Sequence, residues 1–127
     1  MGSGHLMRGL ALGQAWKALG GRAAVASDLS PEHAARVKAS GLDLRPASAV
    51  ATDGWLAVDG YDFGPDYLDA AKKKARTLVL DDYGHRARLP ADVVLNPNAG
   101  AEDFAYAPTD ALVLAGPRYA LLRPEFA

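Results

Sequence analysis

The sequence predicts an α/β fold class: an open, mostly parallel sheet with helices on both of its faces. Apolar residues at helical spacing alternate along the chain with short apolar runs, a pattern typical of strand-helix-strand units. Apolar residues make up 50% of the chain and charged residues 23%, as in a globular domain. A chain of 127 residues is long enough to bury one core and too short for two full domains. We therefore expect one domain over residues 1–127.

The first predicted element is a helix from Leu6 to Leu19. Leu12, Trp16 and Leu19 follow one another at i, i+4 and i+7, the spacing of residues that share one face of a helix. The pair Gly20-Gly21 supplies a stop signal directly after them. We therefore expect the first helix to end at this pair.

A strand and a second helix follow. The apolar run from Arg22 to Ser27 predicts a short buried strand. Ser30 is a favoured N-cap residue and Pro31 suits the first position of a helix, so the second helix begins there. Gly41 ends it.

The rest of the chain predicts four strands and one helix, which complete the alternation. Short apolar runs bounded by turn residues mark the strands, and Pro at a first position marks the helix. The expected strands are Trp55–Val58, Thr77–Leu80, Val93–Leu95 and Ala111–Ala115, and the expected helix runs from Pro65 to about Ala75.

Composition excludes several classes of function. Cysteine is absent, which excludes disulfides, thiolate metal sites and cysteine nucleophiles and suits a cytoplasmic protein. Lys and Arg number 14 against 15 Asp and Glu, so no broad basic field favours nucleic acid as a partner. No stretch approaches the roughly 20 apolar residues of a membrane span. We expect a cytoplasmic protein with neither a nucleic-acid partner nor a membrane span.

Polar residues gather where the predicted strands end. They are Asp59, Asp81, Asp82, Asn96 and Asn98. The carboxyl edge of an open parallel sheet is where ligands bind, so these side chains are candidate ligand groups. The alternative is a turn role alone, because turn chemistry also selects Asp and Asn at strand ends.

The segment Gly2-Ser3-Gly4-His5 stands directly before the first helix. Its glycines allow close approach of a ligand to backbone N–H groups at a helix N-terminus, where anions are favoured. His5 in that place is a candidate general base because its ordinary pKa lies near neutral pH. A helix cap or a surface residue is the structural alternative. Arg8 is either a partner for a phosphate or carboxylate or a solvated residue of the first turn.

Five strings in order carry a family resemblance: GSGHLMRGLALGQAW, VDGYDF followed by Tyr67, LVLDDYGHR, ADVVLNPNAG and LAGPRYALLRPEF. Together they resemble the N-terminal half of the UDP-2,4-diacetamido-2,4,6-trideoxy-β-L-altropyranose hydrolases of pseudaminic acid biosynthesis, a family that includes spore-coat polysaccharide proteins. The resemblance runs from Gly2 to Phe126.

The resemblance implies the Rossmann-like N-terminal half of a two-domain glycosyltransferase-B (GT-B) architecture. The implied reaction is metal-independent hydrolysis of a UDP-linked deoxy-amino sugar at its anomeric carbon, with inversion and release of UDP. It needs no cofactor. His5 would activate the water, Tyr61 would orient the sugar or the water, and Asp59 would lie nearby. Four further polar residues would either bind sugar hydroxyls or hold neighbouring loops: Asp81, Asp82, Asn96 and Asn98.

The chain departs from the family pattern at both ends. Family members have a strand before the G-x-G-H string, whereas only Met1 precedes Gly2 here, and the pattern continues beyond Ala127 into a nucleotide-binding domain. We therefore expect a half that lacks the usual first strand and the second domain. Three accounts stay open: an enzyme half that needs a separate C-terminal half, a homodimer that acts as a hydrolase or a glycosyltransferase, and a non-catalytic sugar- or nucleotide-binding module.

Overall fold

The computed structural model describes residues 3–46, 54–59, 63–82, 88–103, 106 and 109–121. The chain divides into two compact units. The first unit comprises residues 1–50 and 121–127, and the second comprises residues 51–120. Each unit has its own parallel sheet and its own apolar core.

The first unit contains two helices and a two-stranded parallel sheet. Helix α1 spans Ser3–Ala18, strand β1 spans Ala24–Ala26, helix α2 spans Pro31–Ala39 and strand β2 spans Asp43–Arg45. Strand β1 pairs in parallel with β2, and α2 makes the crossover between them, as parallel pairing requires. The sequence analysis missed β2, because its three residues include two charged ones and form no apolar run.

The predicted N-terminus of α2 is confirmed. Ser30 is the N-cap, and its hydroxyl oxygen accepts a hydrogen bond from the backbone N–H of His33 at 3.3 Å. Pro31 takes the first helical position, where its missing N–H costs no helical hydrogen bond. The helix ends at Ala39, and Gly41 has φ +82°, a left-handed conformation that favours glycine after a helix.

The predicted first helix is confirmed as α1, and Leu6 and Leu10 form its buried face. They are buried together with Val37 and Leu42 in the core of the first unit. Leu12 stands two residues beyond Leu10 and therefore points about 200° around the helix from it. Trp16 is 46% exposed and Leu19, beyond the end of the helix, is 87% exposed. Two apolar stripes compete on this helix, and tertiary packing selects the earlier one.

The second unit contains a four-stranded parallel sheet in the order β3-β4-β5-β6. Its strands are β3 at Trp55–Asp59, β4 at Arg76–Leu80, β5 at Val93–Asn96 and β6 at Leu112–Ala115, and helix α3 at Pro65–Lys72 links β3 to β4. Short 3₁₀ helices at Ala101–Asp103 and Pro117–Tyr119 flank β6. Each predicted strand and helix of this unit is confirmed, with small shifts of its ends.

A row of valines crosses this sheet and forms its core. Val58, Val79 and Val94 are in register on adjacent strands, and all three are buried with Leu68 of α3. Leu80 and Leu95 on the opposite face are buried as well. Burial on both faces is typical of parallel sheets, which explains why these strands appear in the sequence as continuous apolar runs.

Asp92 fixes the register at the amino ends of β4 and β5. Its carboxylate accepts a hydrogen bond from the backbone N–H of Thr77 at 2.8 Å, and its own N–H donates to the carbonyl of Thr77 at 2.9 Å. Its carbonyl accepts from the N–H of Leu112 at 3.0 Å. One residue therefore joins the starts of three neighbouring strands.

The predicted α/β class is confirmed, because two parallel sheets occur with helices between their strands. Within the described residues, no helix is both long enough and apolar enough to cross a membrane.

Two glycines of α1 provide a matched test of its packing. A Cβ at Gly9 would meet no atom within 4 Å, whereas one at Gly13 would lie 2.7 Å from Cδ1 of the buried Leu42. We expect Gly9→Ala to stabilise the fold by about 0.5–1 kcal/mol and Gly13→Ala to destabilise it by about 1 kcal/mol or more. Urea unfolding monitored by circular dichroism measures both; equal effects would contradict this packing.

Candidate functional site

The carboxyl ends of β3, β4, β5 and β6 meet at one edge of the four-stranded sheet. Asp59 ends β3 beside Leu80, and Asp81 follows Leu80 directly. Asn96 ends β5, and its carbonyl accepts a hydrogen bond from the N–H of Gly116, just after β6, at 2.8 Å. The parallel pairing therefore places polar side chains predicted from separate parts of the sequence at one edge.

Asp81 and Asn96 are neighbours across the sheet and face its core. The backbone N–H of Asp81 donates to the carbonyl of Leu95 at 2.9 Å, so the pairing of β4 and β5 continues past Leu80. Alternate residues of a strand share a face, so Asp81 lies on the face of Val79, and Asn96 on that of Val94. Their exposed fractions are 1% and 0%. Of the two roles considered for them, burial favours holding the loops.

Tyr106 provides a hydrogen-bond acceptor for the buried amide of Asn96. Its ring packs against the core of the second unit, and its hydroxyl oxygen accepts a hydrogen bond from Nδ2 of Asn96 at 2.9 Å. The carboxylate of Asp81 is among the groups that raise the pKa of this hydroxyl. One phenol hydroxyl thus interacts with the ends of both β4 and β5.

Asn98 and Asp82 extend the network to the surface. Oδ1 of Asn96 accepts from the backbone N–H of Asn98 at 3.2 Å and from its Nδ2 at 2.8 Å. The same Nδ2 donates to Oδ1 of Asp82 at 2.9 Å. Asn96 therefore makes an Asx turn, the structural role that its residue type favours, and Asn98 is exposed while Asp82 is partly buried. We name the chain Asp81, Tyr106, Asn96, Asn98 and Asp82 the edge network.

The edge network holds Tyr106 in its neutral form. Burial raises the pKa of the Tyr106 hydroxyl above its ordinary value, and the carboxylates of Asp81 and Asp82 raise it further. The hydrogen bond from Asn96 lowers the pKa in part, because it stabilises the phenolate. At neutral pH the hydroxyl therefore keeps its proton while its oxygen accepts from Asn96.

Glu102 adds a carboxylate at the same edge of the sheet. Its Oε1 accepts from the backbone N–H of Gly100 at 3.0 Å. Its other oxygen packs against Gly116, where φ is +111° and a Cβ would collide with it. Glycine at position 116 thus permits both the turn after β6 and the approach of this carboxylate.

In the first unit, His5 and Arg8 interact on α1. Nη2 of Arg8 lies 3.5 Å from Nδ1 of His5. A guanidinium can only donate, so this contact makes Nδ1 the acceptor and places the proton of a neutral imidazole on Nε2. In this arrangement Nε2–H offers a hydrogen bond, and Nδ1 is the nitrogen that has a lone pair for a proton.

The predicted glycine-rich loop at residues 3–5 was wrong, because α1 already begins at Ser3. Gly4 is therefore helical, and a Cβ there would meet nothing within 4 Å. His5 lies in the first turn of the helix. Two further predicted residues, Gly2 and Tyr61, lie outside the described residues, as does the side chain of Ser3.

Sequence reasoning missed Tyr106 and Glu102. Neither belongs to a strand end or to one of the motif strings. A usable signal for Tyr106 was the burial expected of an asparagine at the end of an apolar strand, because a buried amide requires a polar partner from elsewhere in the chain. Tyrosine, with an apolar ring and a polar tip, is suited to that place.

Carboxylates and amides are the polar groups of this edge, and they accept hydrogen bonds from hydroxyl and N–H groups of a ligand. Within the part of the chain that the structure describes, no group of three or more His, Cys, Asp or Glu side chains is arranged to hold a metal ion.

Comparison of the chain with protein-family models, with curated proteins and with solved structures found no match.

The raised pKa of Tyr106 predicts a pH-dependent contribution to stability. The unfolded state begins to lose the phenol proton near pH 10, whereas the folded state still keeps it there. The stability contributed by the protonated hydroxyl is therefore complete below about pH 10 and is lost as the pH rises through the folded-state pKa. We expect Tyr106→Phe to cost about 1–3 kcal/mol at pH 7, because it leaves buried partners of Tyr106 unsatisfied, and less at alkaline pH.

Urea unfolding of both proteins between pH 7 and about pH 11 measures this difference. Tyr67→Phe removes a hydroxyl from an exposed tyrosine and is the matched control. A free-energy difference between wild type and Tyr106→Phe that does not change with pH would contradict the prediction.

Proposed function

We propose that the second unit binds the sugar of a UDP-linked deoxy-amino sugar at the carboxyl edge of its sheet. We further propose that the chain is the N-terminal-type, Rossmann-like half of a GT-B nucleotide-sugar hydrolase, as its sequence strings suggest. The observation that carries the proposal is the edge network, in which buried hydrogen bonds hold the surface groups Asp82 and Asn98 in place.

The chemistry of the edge network suits a sugar. A sugar presents several hydroxyl donors, and an acetamido substituent adds an N–H donor. Asp82 and Asn98 offer carboxylate and amide oxygens to such donors. Because Asn98 is held by Asn96 and Asp82, less conformational entropy is lost when a ligand binds.

The proposed reaction is hydrolysis at the anomeric carbon. The oxygen of water forms a bond to that carbon, the bond from the carbon to the diphosphate oxygen breaks, and its electron pair leaves with UDP. A general base takes the proton that the water loses, which is the role that the resemblance implies for His5, and attack from the face opposite UDP inverts the configuration. General-base assistance of this kind contributes roughly 100- to 10,000-fold to a rate.

The proposal includes a partner for the nucleotide. A separate C-terminal half or a second copy of the chain would bind the uridine diphosphate, whose stabilisation as a leaving group is a large part of such catalysis. The absence of cysteine agrees with the expected place of this reaction, the cytoplasm.

A non-catalytic sugar-binding module is the second candidate, and the contact between His5 and Arg8 favours it. In that contact the lone pair of Nδ1, which would take a proton from water, already faces a donor. In the hydrolase, Arg8 has to move away before Nδ1 can accept a proton from water.

Substitutions at the surface end of the edge network test sugar binding. We expect Asp82→Asn and Asn98→Ala to weaken binding of UDP-N-acetylglucosamine about tenfold each, and to leave binding of UDP unchanged, because they remove hydrogen bonds to the sugar alone. Isothermal titration calorimetry measures the binding of both ligands.

Asp110→Asn is the matched control, because Asp110 is exposed and precedes β6 at the opposite edge of the sheet. Wild-type protein that binds neither ligand, or variants that bind like wild type, would overturn the assignment.

His5 separates the hydrolase from the binding module. We expect His5→Ala to slow UDP release from UDP-2,4-diacetamido-2,4,6-trideoxy-β-L-altropyranose about 100-fold or more, and the matched variant His33→Ala to leave it unchanged. Phosphorus NMR follows UDP directly. Binding without UDP release would support the module, and release that needs an added hydroxyl compound would support glycosyl transfer.

A further inference from the structure

We propose that Tyr106 is the positioning residue of the sugar site: it orients the amide of Asn96 and, through it, the exposed amide of Asn98. This inference rests on the proposed sugar-binding function of the edge network. Tyr106 itself is not a ligand group in this proposal, because its hydroxyl is engaged with Asp81 and Asn96.

The amide of Asn96 is held at both of its ends. The backbone N–H of Asn98 can only donate, so Oδ1 of Asn96 faces it. Nδ2 of Asn96 faces the other way and donates to the hydroxyl oxygen of Tyr106. Tyr106 therefore holds the Nδ2 end of the amide.

The orientation of Asn96 decides that of Asn98. With Nδ2 turned to Tyr106, Oδ1 of Asn96 faces the opposite side, where it accepts both the backbone N–H and Nδ2 of Asn98. Nδ2 of Asn98 also donates to Asp82, so both of its protons are used. Oδ1 of the exposed Asn98 is thus the part of that amide presented at the surface.

The consequence is a preference for one class of ligand group. Oδ1 of Asn98 and the carboxylate of Asp82 are both acceptors, so the surface end of the network favours hydroxyl and amide N–H groups and disfavours anions. If the hydroxyl of Tyr106 is removed, Nδ2 of Asn96 loses its acceptor and the amide is held only at its Oδ1 end, so the hydrogen bonds to Asn98 are less well fixed. The hydroxyl of Tyr106 thereby affects which ligand groups bind at Asn98 and Asp82 on the surface.

Nuclear magnetic resonance reads these orientations directly, because Gln14, Asn96 and Asn98 carry the only three side-chain amides of the chain. We expect Tyr106→Phe to shift the side-chain amide signals of Asn96 and Asn98 and to leave that of Gln14, in the first unit, in place. Asn98→Asp assigns the signals. Tyr67→Phe, the matched control on α3, should move neither asparagine signal.

The same variants test the link to binding. We expect Tyr106→Phe to weaken binding of UDP-N-acetylglucosamine about tenfold without changing binding of UDP, and Tyr67→Phe to change neither. Asp81→Asn provides a second variant in case Tyr106→Phe does not fold. It replaces an obligate acceptor with an amide of similar size, and it should produce the same shifts of Asn96 and Asn98.

The two proposals fail in different ways. A wild-type protein that does not bind UDP-N-acetylglucosamine overturns the sugar-binding function, and the positioning role with it. Wild-type binding that Tyr106→Phe leaves unchanged overturns the positioning role alone. Unmoved Asn98 signals in both Tyr106→Phe and Asp81→Asn also overturn that role, because a merely structural tyrosine would not control the Asn98 amide.

Discussion

The parallel pairing of β4 with β5 is the constraint on which the carboxyl edge of the sheet depends. Asp92 joins the two strands at their amino ends, and the hydrogen bond from Asp81 to the carbonyl of Leu95 continues the register at their carboxyl ends. That register places Asp81 beside Asn96 on the core face. Two polar side chains are thereby buried, and each would cost about 1–3 kcal/mol without a partner.

Tyr106 resolves this conflict between strand register and burial. Its ring packs against the apolar core, its hydroxyl oxygen accepts a hydrogen bond from Asn96, and the carboxylate of Asp81 raises the pKa of that hydroxyl. A buried network that is fully satisfied is rigid, whereas a partly satisfied one is costly. The accessible residues Asn98 and Asp82 therefore stand on a rigid support, which is what a site for a small polar ligand requires. Stability and the proposed binding function rest on the same hydrogen bonds.

In the first unit, the contact between His5 and Arg8 bears on the proposed reaction. Helix α1 carries His5 in its first turn, and the guanidinium of Arg8 lies against Nδ1 of the imidazole. A neutral imidazole carries one N–H and one nitrogen with a lone pair, and the guanidinium, which can only donate, faces the lone pair of Nδ1. In this arrangement a proton from water has to compete with Arg8 for Nδ1.

Sequence by itself determined the α/β class, most of the element positions and the type of polar residue at each strand end. These properties are local: apolar runs, proline and serine at helix starts and glycine after helices act over a few residues, as Ser30 and Gly41 show. Four members of the edge network were also named from sequence, because strand ends are recognisable in it.

Tertiary structure alone decided the role of each of those residues. The burial of Asp81 and Asn96 depends on which face of the sheet meets the core, and the choice of Leu10 over Trp16 on α1 depends on what packs against that helix. Tyr106 reaches Asn96 from ten residues away along the chain, outside any motif. Long-range packing and hydrogen bonding set these outcomes, because they depend on which segments meet in space and not on the order of residues within a segment.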